Sequence, residues 1–353
     1  MINVKQIDND DKEMWDAYVS ASDQATPYHR FAWGQAVKMS YDFEILYFGA
    51  FIQNKLVGVM PFVRMGMPFK KTSLVSMPYC DGAGAIGDTP EIAEALINFS
   101  TTELAKSTQE TIDLRHAKTT TVLPETLADG QKVRMLLNLA ASPDEQMANF
   151  KSKLRSQIKK AEKNGLTAKV VAYSGADSFT KNVDELYDVI SQNMHSLGSP
   201  VHSKTWFLYV LREYASNAYM VLVYKDETAV GGGIVLLNNN TASIPWASTK
   251  AEFNRLAPNM LLYWTVLSEA ISQGASVFDF GRSTVNGGTY NFKKQWGSQP
   301  APLHWASYEN GHLIEVLENG KSKIRKSVEA IWRKLPLAVV NYMGPRIRKY
   351  VSM

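Results

Sequence analysis

The stretch Val277–Trp305, VFDFGRSTVNGGTYNFKKQWGSQPAPLHW, decides how this 353-residue chain is read. It opens with an apolar strand, Val277-Phe278-Asp279-Phe280, which turns on Gly281 and releases Arg282, Ser283 and Thr284 into a loop. Asn286-Gly287-Gly288 follows, then an aromatic and basic run of Tyr290, Phe292, Lys293, Lys294 and Trp296. A strand end that delivers polar side chains into a Gly-rich loop is where α/β proteins place binding and chemistry, because the sheet holds the root of the loop rigid. A core strand followed by a solvated basic hairpin accounts for the same residue types, so context must decide.

Upstream of this strand, patterning predicts a helix over Pro258–Gln273, a strand over Thr241–Ala247 and a hairpin joining Tyr219–Tyr224 to Ala229–Leu237. Before them come helices over Lys204–Ala215 and Ser178–Met194, a strand over Leu166–Tyr173, and a basic helix over Lys151–Asn164 closed by Gly165. The first half runs in much the same order. Helices over Asp10–Ser22 and Phe31–Lys38 precede a hairpin of Glu44–Ile52 with Leu56–Val63. A strand over Thr72–Met77, a helix over Thr89–Lys106 and a strand over Thr111–Leu114 follow, and Val133–Leu139 closes the half. Val57-Gly58, Thr72-Ser73 and Asp113-Leu114-Arg115 line up with Val230-Gly231, Thr241-Ala242 and Asp279-Phe280-Gly281 at offsets of about 170 residues. Two copies of one α/β (α+β) unit are therefore expected, each a mixed sheet flanked by helices, over 1–145 and 146–310. A basic amphipathic extension is expected over 311–353.

Composition bounds the rest. Hydrophobic residues at 45% and charged residues at 20% are those of a globular protein. The opening MINVKQIDNDDKEMW lacks the apolar core of a secretory signal, and no apolar run reaches the roughly 20 residues of a spanning helix. The lone Cys80 rules out an internal disulfide and fits a reducing, cytoplasmic setting. The net charge is +4, but from Lys321 onward nine Lys or Arg side chains stand against the single Glu329, so the basicity belongs to the tail. There Ile324, Val328, Ile331, Trp332 and Leu335 recur at helical spacing until Pro336. This pattern suits either an anionic inner-membrane surface or packing on the protein's own core.

LRSQIKKAEKNGL (Leu154–Leu166), HSLGSPVHSKTWF (His195–Phe207) and FDFGRSTVNGGTYNFKKQWG (Phe278–Gly297), with MPYCDGAGAI (Met77–Ile86) and WRKLPLAVVNYMGPRIRKY (Trp332–Tyr350), resemble the FemAB family. Within it they look like the GNAT-like FemAB-related proteins found beside exosortase and PEP-CTERM exopolysaccharide systems. The resemblance implies a tandem duplicated GNAT-like fold and transfer of an acyl or aminoacyl group to an amine, such as an amino sugar or peptide, in exopolysaccharide or cell-envelope synthesis. Aminoacyl-tRNA-dependent peptidoglycan branching is its most specific version, and a non-catalytic module holding a polymer or lipid-linked saccharide precursor is the alternative. One departure concerns the donor. Where acyl-CoA enzymes of this fold place a Gly-rich pyrophosphate loop, this chain reads Phe253-Asn254-Arg255-Leu256-Ala257-Pro258-Asn259. That argues against coenzyme A and leaves aminoacyl-tRNA open, with no tightly bound cofactor and no metal expected.

Acyl transfer to an amine needs a deprotonated nucleophile, a donor for the developing oxyanion and close apposition of two substrates. Arg282 suits a carboxylate, phosphate or oxyanion through its planar fork, with Ser283, Tyr290 and Lys293 beside it. In an extended run Lys293 and Lys294 face opposite sides, so only one serves the site. Asp279, inside an apolar strand, should be paired with Arg282 or Lys293, or else orient the amine. His195 and His202 bracket Leu197-Gly198-Ser199-Pro200; His195 is the candidate base, although each also reads as a helix-end or loop residue. Tyr79, Asp81 and His116 occupy first-lobe loops equivalent to those of Trp246 and Arg282. They grip the acceptor if that lobe contributes, and are scaffold if it does not. Arg155 and Lys159, on the basic helix, are candidates for phosphate contact with tRNA or a diphosphate-linked acceptor, against a plain solvated face.

Overall fold

The computed structural model describes residues 1–66, 72–104, 110–117, 130–310, 312–314 and 323–352, with backbone alone at 323–326. Its two compact units are Met1–Val133 with Pro302–Glu318 and Tyr350–Met353, and Arg134–Ala301 with Asn319–Lys349.

Unit 1 begins with β1 (Asn3–Ile7), α1 (Lys12–Ala21) and α2 (Phe31–Tyr41). β2 (Glu44–Ile52) and β3 (Lys55–Met65) form the expected hairpin, followed by β4 (Ser73–Val75), β5 (Ile86–Gly87), α3 (Pro90–Asn98) and β6 (Thr111–His116). The helix expected over Thr89–Lys106 ends at Asn98 and passes into a wider π turn over Phe99–Leu104; Lys106 lies outside the described residues. β2 and β3 bury Phe48, Met60 and Phe62 against Ile92 and Leu96 of α3, which closes one face of the sheet.

Unit 2 runs from β7 (Lys132–Asn138) through α4 (Pro143–Asn149), α5 (Ser152–Lys163), β8 (Leu166–Ala172), α6 (Asp177–Ser196) and α7 (Lys204–Tyr214). β9 (Ala218–Lys225), β10 (Thr228–Asn238), β11 (Thr241–Thr249), α8 (Pro258–Ser272) and β12 (Val277–Thr284) then build its sheet. α9 (Gly288–Lys294) and β13 (Gln299–Pro302) complete it. The chain returns to unit 1 as β14 (His304–Glu309) and β15 (His312–Ile314), and then forms α10 (Lys323–Trp332) and α11 (Leu337–Arg348).

Both sheets are mixed. The first has the order β1-β2-β3-β4-β6-β14-β15, with β5 paired to β3; the second has β13-β7-β12-β11-β10-β9-β8. Each contains a parallel pair with three matched residues: Ser73–Val75 beside Thr111–Asp113, and Thr241–Ser243 beside Val277–Asp279. β7, which precedes the second repeat, belongs to the second sheet, and β14, which follows that repeat, belongs to the first. The expected boundaries at 145/146 and 310/311 cut along the chain, whereas strand pairing, which satisfies the backbone groups of β6 and β12, sets these units.

Two local readings are corrected and a third is met. Arg282, Ser283 and Thr284 remain in β12 rather than entering a loop. Tyr290–Lys294 is helical, not an extended hairpin arm. As expected, the helical tail is interrupted at Pro336, which separates α10 from α11; Lys321 and the side chain of Ile324 lie outside the described residues. Pro336 imposes the break because it cannot continue the hydrogen-bond ladder of α10.

Candidate functional site

β11 and β12 pair only at Thr241–Ser243 with Val277–Asp279, although β11 continues to Thr249 and β12 to Thr284. Beyond Ser243 and Asp279 the two strands carry no further matched residues, and the pair forms a fork. Its cause lies on the other side of β11. There Ile234 pairs with Trp246 and Leu236 with Ser243, so Val235 opposes both Ile244 and Pro245. This extra residue is a β-bulge, which bends a strand and increases its twist. Pro245 has no N–H to offer a ladder, so a bulge accommodates it well.

The other arm of the fork is fixed from beneath. Asp279, 2% exposed, accepts from Arg134 Nε at 2.9 Å and Nη2 at 2.7 Å, and from the Gly281 amide at 2.8 Å. Of the two expected roles, pairing or orienting an amine, Asp279 takes the first, in a buried ion pair with Arg134 on β7. Gly281 has φ of 73°, a left-handed conformation that costs glycine little and other residues about 1 kcal/mol or more. On the far side of this kink, Lys293 Nζ donates to the Gly281 carbonyl at 3.0 Å and the Arg282 carbonyl at 2.9 Å. Lys293 is buried, while its neighbour Lys294 is exposed, its ammonium 5.7 Å from the centre of the Tyr290 ring. Arg134, Asp279, the Gly281 backbone and Lys293 therefore form one connected chain that sets the backbone from which the half-buried Arg282 projects. Arg134 and Lys293 outweigh Asp279 in charge, so this arm of the fork is electropositive even before Arg282 is counted.

Ser243 and Ser283 are buried, and their hydroxyls have no hydrogen-bond partner among the described residues. At the C-terminal end of α6, Asn193 donates to Ser248 Oγ on β11 at 3.1 Å, and His195 Nε2 is buried without a hydrogen-bond partner among the described residues. Both groups have hydrogen-bonding capacity that a substrate could use. His202 is packed differently. Its ring stacks on Trp206 at 5.2 Å and meets Phe207 and Trp246 edge-on at 6.2 Å. Burial, and then nearby Arg348, hold its pKa well below the ordinary histidine value, so it remains neutral. Trp246 and His202 thus meet each other in an aromatic cluster.

Arg155 donates to the carbonyls of Ala148 at 3.1 Å and Phe150 at 2.7 Å, which ties its guanidinium to the end of α4. Lys159 is exposed on α5. Ahead of α8, the Phe253 amide donates to Lys250, the Ala257 amide to Asn254 and the Met260 amide to Ala257. Asn164 Nδ2 also donates to the Leu256 carbonyl at 3.1 Å. These three amides are occupied within a tight turn, and Pro258 has no N–H to contribute. Among the described residues, no group of three His, Cys, Asp or Glu could hold a metal ion.

In unit 1 the equivalent pair ends closed. The Ser76 amide donates to the Asp113 carbonyl at 2.8 Å, and Ser76 Oγ accepts from the Arg115 amide at 2.7 Å. The segment after β4 then fills the space. Its carbonyls at Pro78, Asp81 and Gly82 accept from Trp33 Nε1, Trp305 Nε1 and Thr26 Oγ1. Arg115, buried, reaches the Ser352 carbonyl at 2.7 Å and Ser352 Oγ at 2.8 Å, within longer range of the Met77 and Cys80 carbonyls. Tyr79 is buried and its amide bonds to the Ser352 carbonyl. Burial, and then His304 on β14, lower the His116 pKa to about 4. The expected first-lobe residues Tyr79, Asp81 and His116 thus lie along a packed loop and strand end.

Sequence reasoning missed Arg134, whose partner Asp279 lies 145 residues away. It also missed the bulge, although Pro245 inside an apparent strand was a local signal for one.

Residues 148–294 match a family described as an acetyltransferase (GNAT) domain. Among solved structures, FemX aligns with a TM-score of 0.67 at 14% identity, covering 87% of this chain and 98% of its own. L-PGS from Bacillus licheniformis aligns at 0.54 with 11% identity, covering 99% and 98%. A tandem GNAT protein from the clavulanic acid biosynthesis pathway aligns at 0.51 with 12% identity, covering 88% and 99%. No curated protein matches in sequence. The architecture is a tandem GNAT-like fold, with the matched domain in unit 2.

Proposed function

We propose that the fork in unit 2 is the transfer site of an N-acyltransferase or aminoacyltransferase, acting on an amino sugar or peptide amine in exopolysaccharide or cell-envelope synthesis. The observation that carries this reading is the opening of β11 from β12 beside Arg282, on a backbone fixed by Arg134, Asp279 and Lys293. An electropositive arm of this kind suits the charge that develops on an acyl carbonyl under attack. Preorganised donors at such a position contribute about 2.7–4 kcal/mol to the transition state.

In the proposed step the amine nitrogen attacks the donor carbonyl directly. The N–C bond forms as negative charge gathers on the carbonyl oxygen, which Arg282 stabilises. Collapse of this intermediate breaks the donor's C–O or C–S bond, and the leaving group departs as alkoxide or thiolate. His195 takes a proton from the nitrogen and returns it to the leaving group, so the acceptor gains one acyl group and the base is regenerated. Cys80 has no part in this step: its thiol is buried in unit 1, with Sγ 3.4 Å from the Met77 carbonyl.

The occupied amides ahead of α8 favour an aminoacyl ester over acyl-CoA as the donor. To test this, hexosamines and short peptides are incubated with charged total tRNA or with acetyl-CoA, and the acylated amines are measured by mass spectrometry. Product from charged tRNA alone is expected. Product from acetyl-CoA alone overturns the donor assignment. Retained saccharide binding with no product from either donor makes the chain a binding module and overturns the enzyme reading.

A further inference from the structure

α10 and α11 pack onto unit 2 in an unusual sense. Trp332, Val340 and Gly344 face inward, with the Gly344 backbone so close to Val201 that an added Cβ would lie 3.2 Å from its amide nitrogen. The outward faces are also apolar. Val328 and Ile331 are exposed on α10, and Val339, Tyr342, Met343 and Ile347 recur once per turn along the exposed side of α11, with Ile331 at 62% and Tyr342 at 65%. Arg333 Nη2 donates to the Leu197 carbonyl at 3.2 Å, which brings Leu197, itself exposed, alongside α10. An apolar stripe of this length facing water calls for a cover.

The charges indicate which cover. From residue 327 to 352, Arg333, Lys334, Arg346, Arg348 and Lys349 stand against the single Glu329. The Arg346 guanidinium lies 3.8 Å from the centre of the Tyr342 ring. Aromatic and basic side chains on one helix face match the boundary between lipid headgroups and acyl chains, where the ring buries and the cation meets phosphate. A second copy of the chain would set Arg333, Lys334 and Arg346 against their own counterparts, and like charges oppose that interface. Among the described residues no helix is long and apolar enough to cross a membrane.

We infer that α10 and α11 form a peripheral docking face for an anionic lipid surface, on which α11 lies in the plane of the interface. Each basic residue near such a surface contributes about 1 kcal/mol, and the apolar stripe adds its burial to that. The inference is independent of the proposed chemistry, because it rests on the outward faces of these two helices and not on the fork.

Flotation of the full chain with vesicles of phosphatidylcholine, alone or with one-third phosphatidylglycerol, tests it. At least about tenfold stronger binding to the anionic vesicles is expected. Tyr342→Ser with Ile347→Ser should weaken that binding about tenfold or more, as should Arg333→Gln with Lys334→Gln and Arg346→Gln. All five side chains are exposed, so thermal melts of the variants should overlay the parent's and separate lost docking from lost folding. Equal flotation of parent and variants overturns the inference. So does absence of flotation together with a dimer, seen in sedimentation velocity, that Tyr342→Ser with Ile347→Ser breaks; a second copy would then be the cover.

Discussion

The parallel pairs β4–β6 and β11–β12 begin alike and end differently. Each matches three residues and places an aspartate, Asp113 or Asp279, at its last matched position. In unit 1 the chain folds back over the pair: Ser76 closes the ladder, Arg115 holds carbonyls of the following segment, and aromatic N–H donors hold others. In unit 2 a bulge at Ile244–Pro245 carries β11 away, and the buried chain through Asp279 holds β12 in a kink at Gly281. An arginine near the end of the strand therefore serves opposite purposes. Arg115 is spent on the protein's own backbone, whereas Arg282 stands half-buried on a backbone that Arg134, Asp279 and Lys293 fix.

Breaking the two aspartate contacts should give the largest difference between the units. Asp279→Ala leaves Arg134 charged and buried, and should cost about 3–5 kcal/mol in chemical denaturation. Asp113 accepts from the Ser307 hydroxyl at 2.5 Å, and Asp113→Ala should cost about 1 kcal/mol. Equal losses would mean that the Asp279 pair has no special place in unit 2. Replacing both partners, as Arg134→Met with Asp279→Leu, should restore much of the stability but not turnover, since Gly281 would lose its anchor. Next in size, Arg115→Ala should cost about 1.5–3 kcal/mol while leaving the turnover of the folded fraction unchanged.

Acid should expose the packing of unit 1. The depressed His116 pKa means that the unfolded chain binds more protons than the folded one between about 6.5 and about 4. The stability present above pH 6.5 should therefore fall as pH drops through that window, by up to about 1.4 kcal/mol per pH unit from this residue. His116→Gln should flatten the slope, and an unchanged slope would contradict the assignment. The smallest effect is at the kink: Gly281→Ala should cost about 1 kcal/mol while lowering turnover through displacement of Arg282.

The repeated order of elements made the fold legible, because hydrophobic periodicity and hairpin turns are local signals that two copies reinforce. The singling out of Arg282 came from the same source, its place at a strand end. What stayed hidden depends on distant pairing. Nothing near β7 or β14 tells which sheet each joins, and the pairing of Asp279 with Arg134 follows from that sheet order. The alternation of Tyr290 and Phe292 suggested an extended arm. In the folded protein Lys293 reaches the carbonyls of β12 from a short helix, a contact that propensity alone does not reveal.

The central claim is that Arg282 acts in chemistry and Arg115 in packing. Transfer rates of Arg282→Ala and Arg115→Ala, each normalised to the folded fraction and followed with charged total tRNA and an amine acceptor, test it most directly. The account predicts a fall of about 100-fold or more for Arg282→Ala with a melting profile close to the parent's, and less than about threefold for Arg115→Ala. Equal rates in parent and Arg282→Ala, or a larger loss in Arg115→Ala, would contradict it.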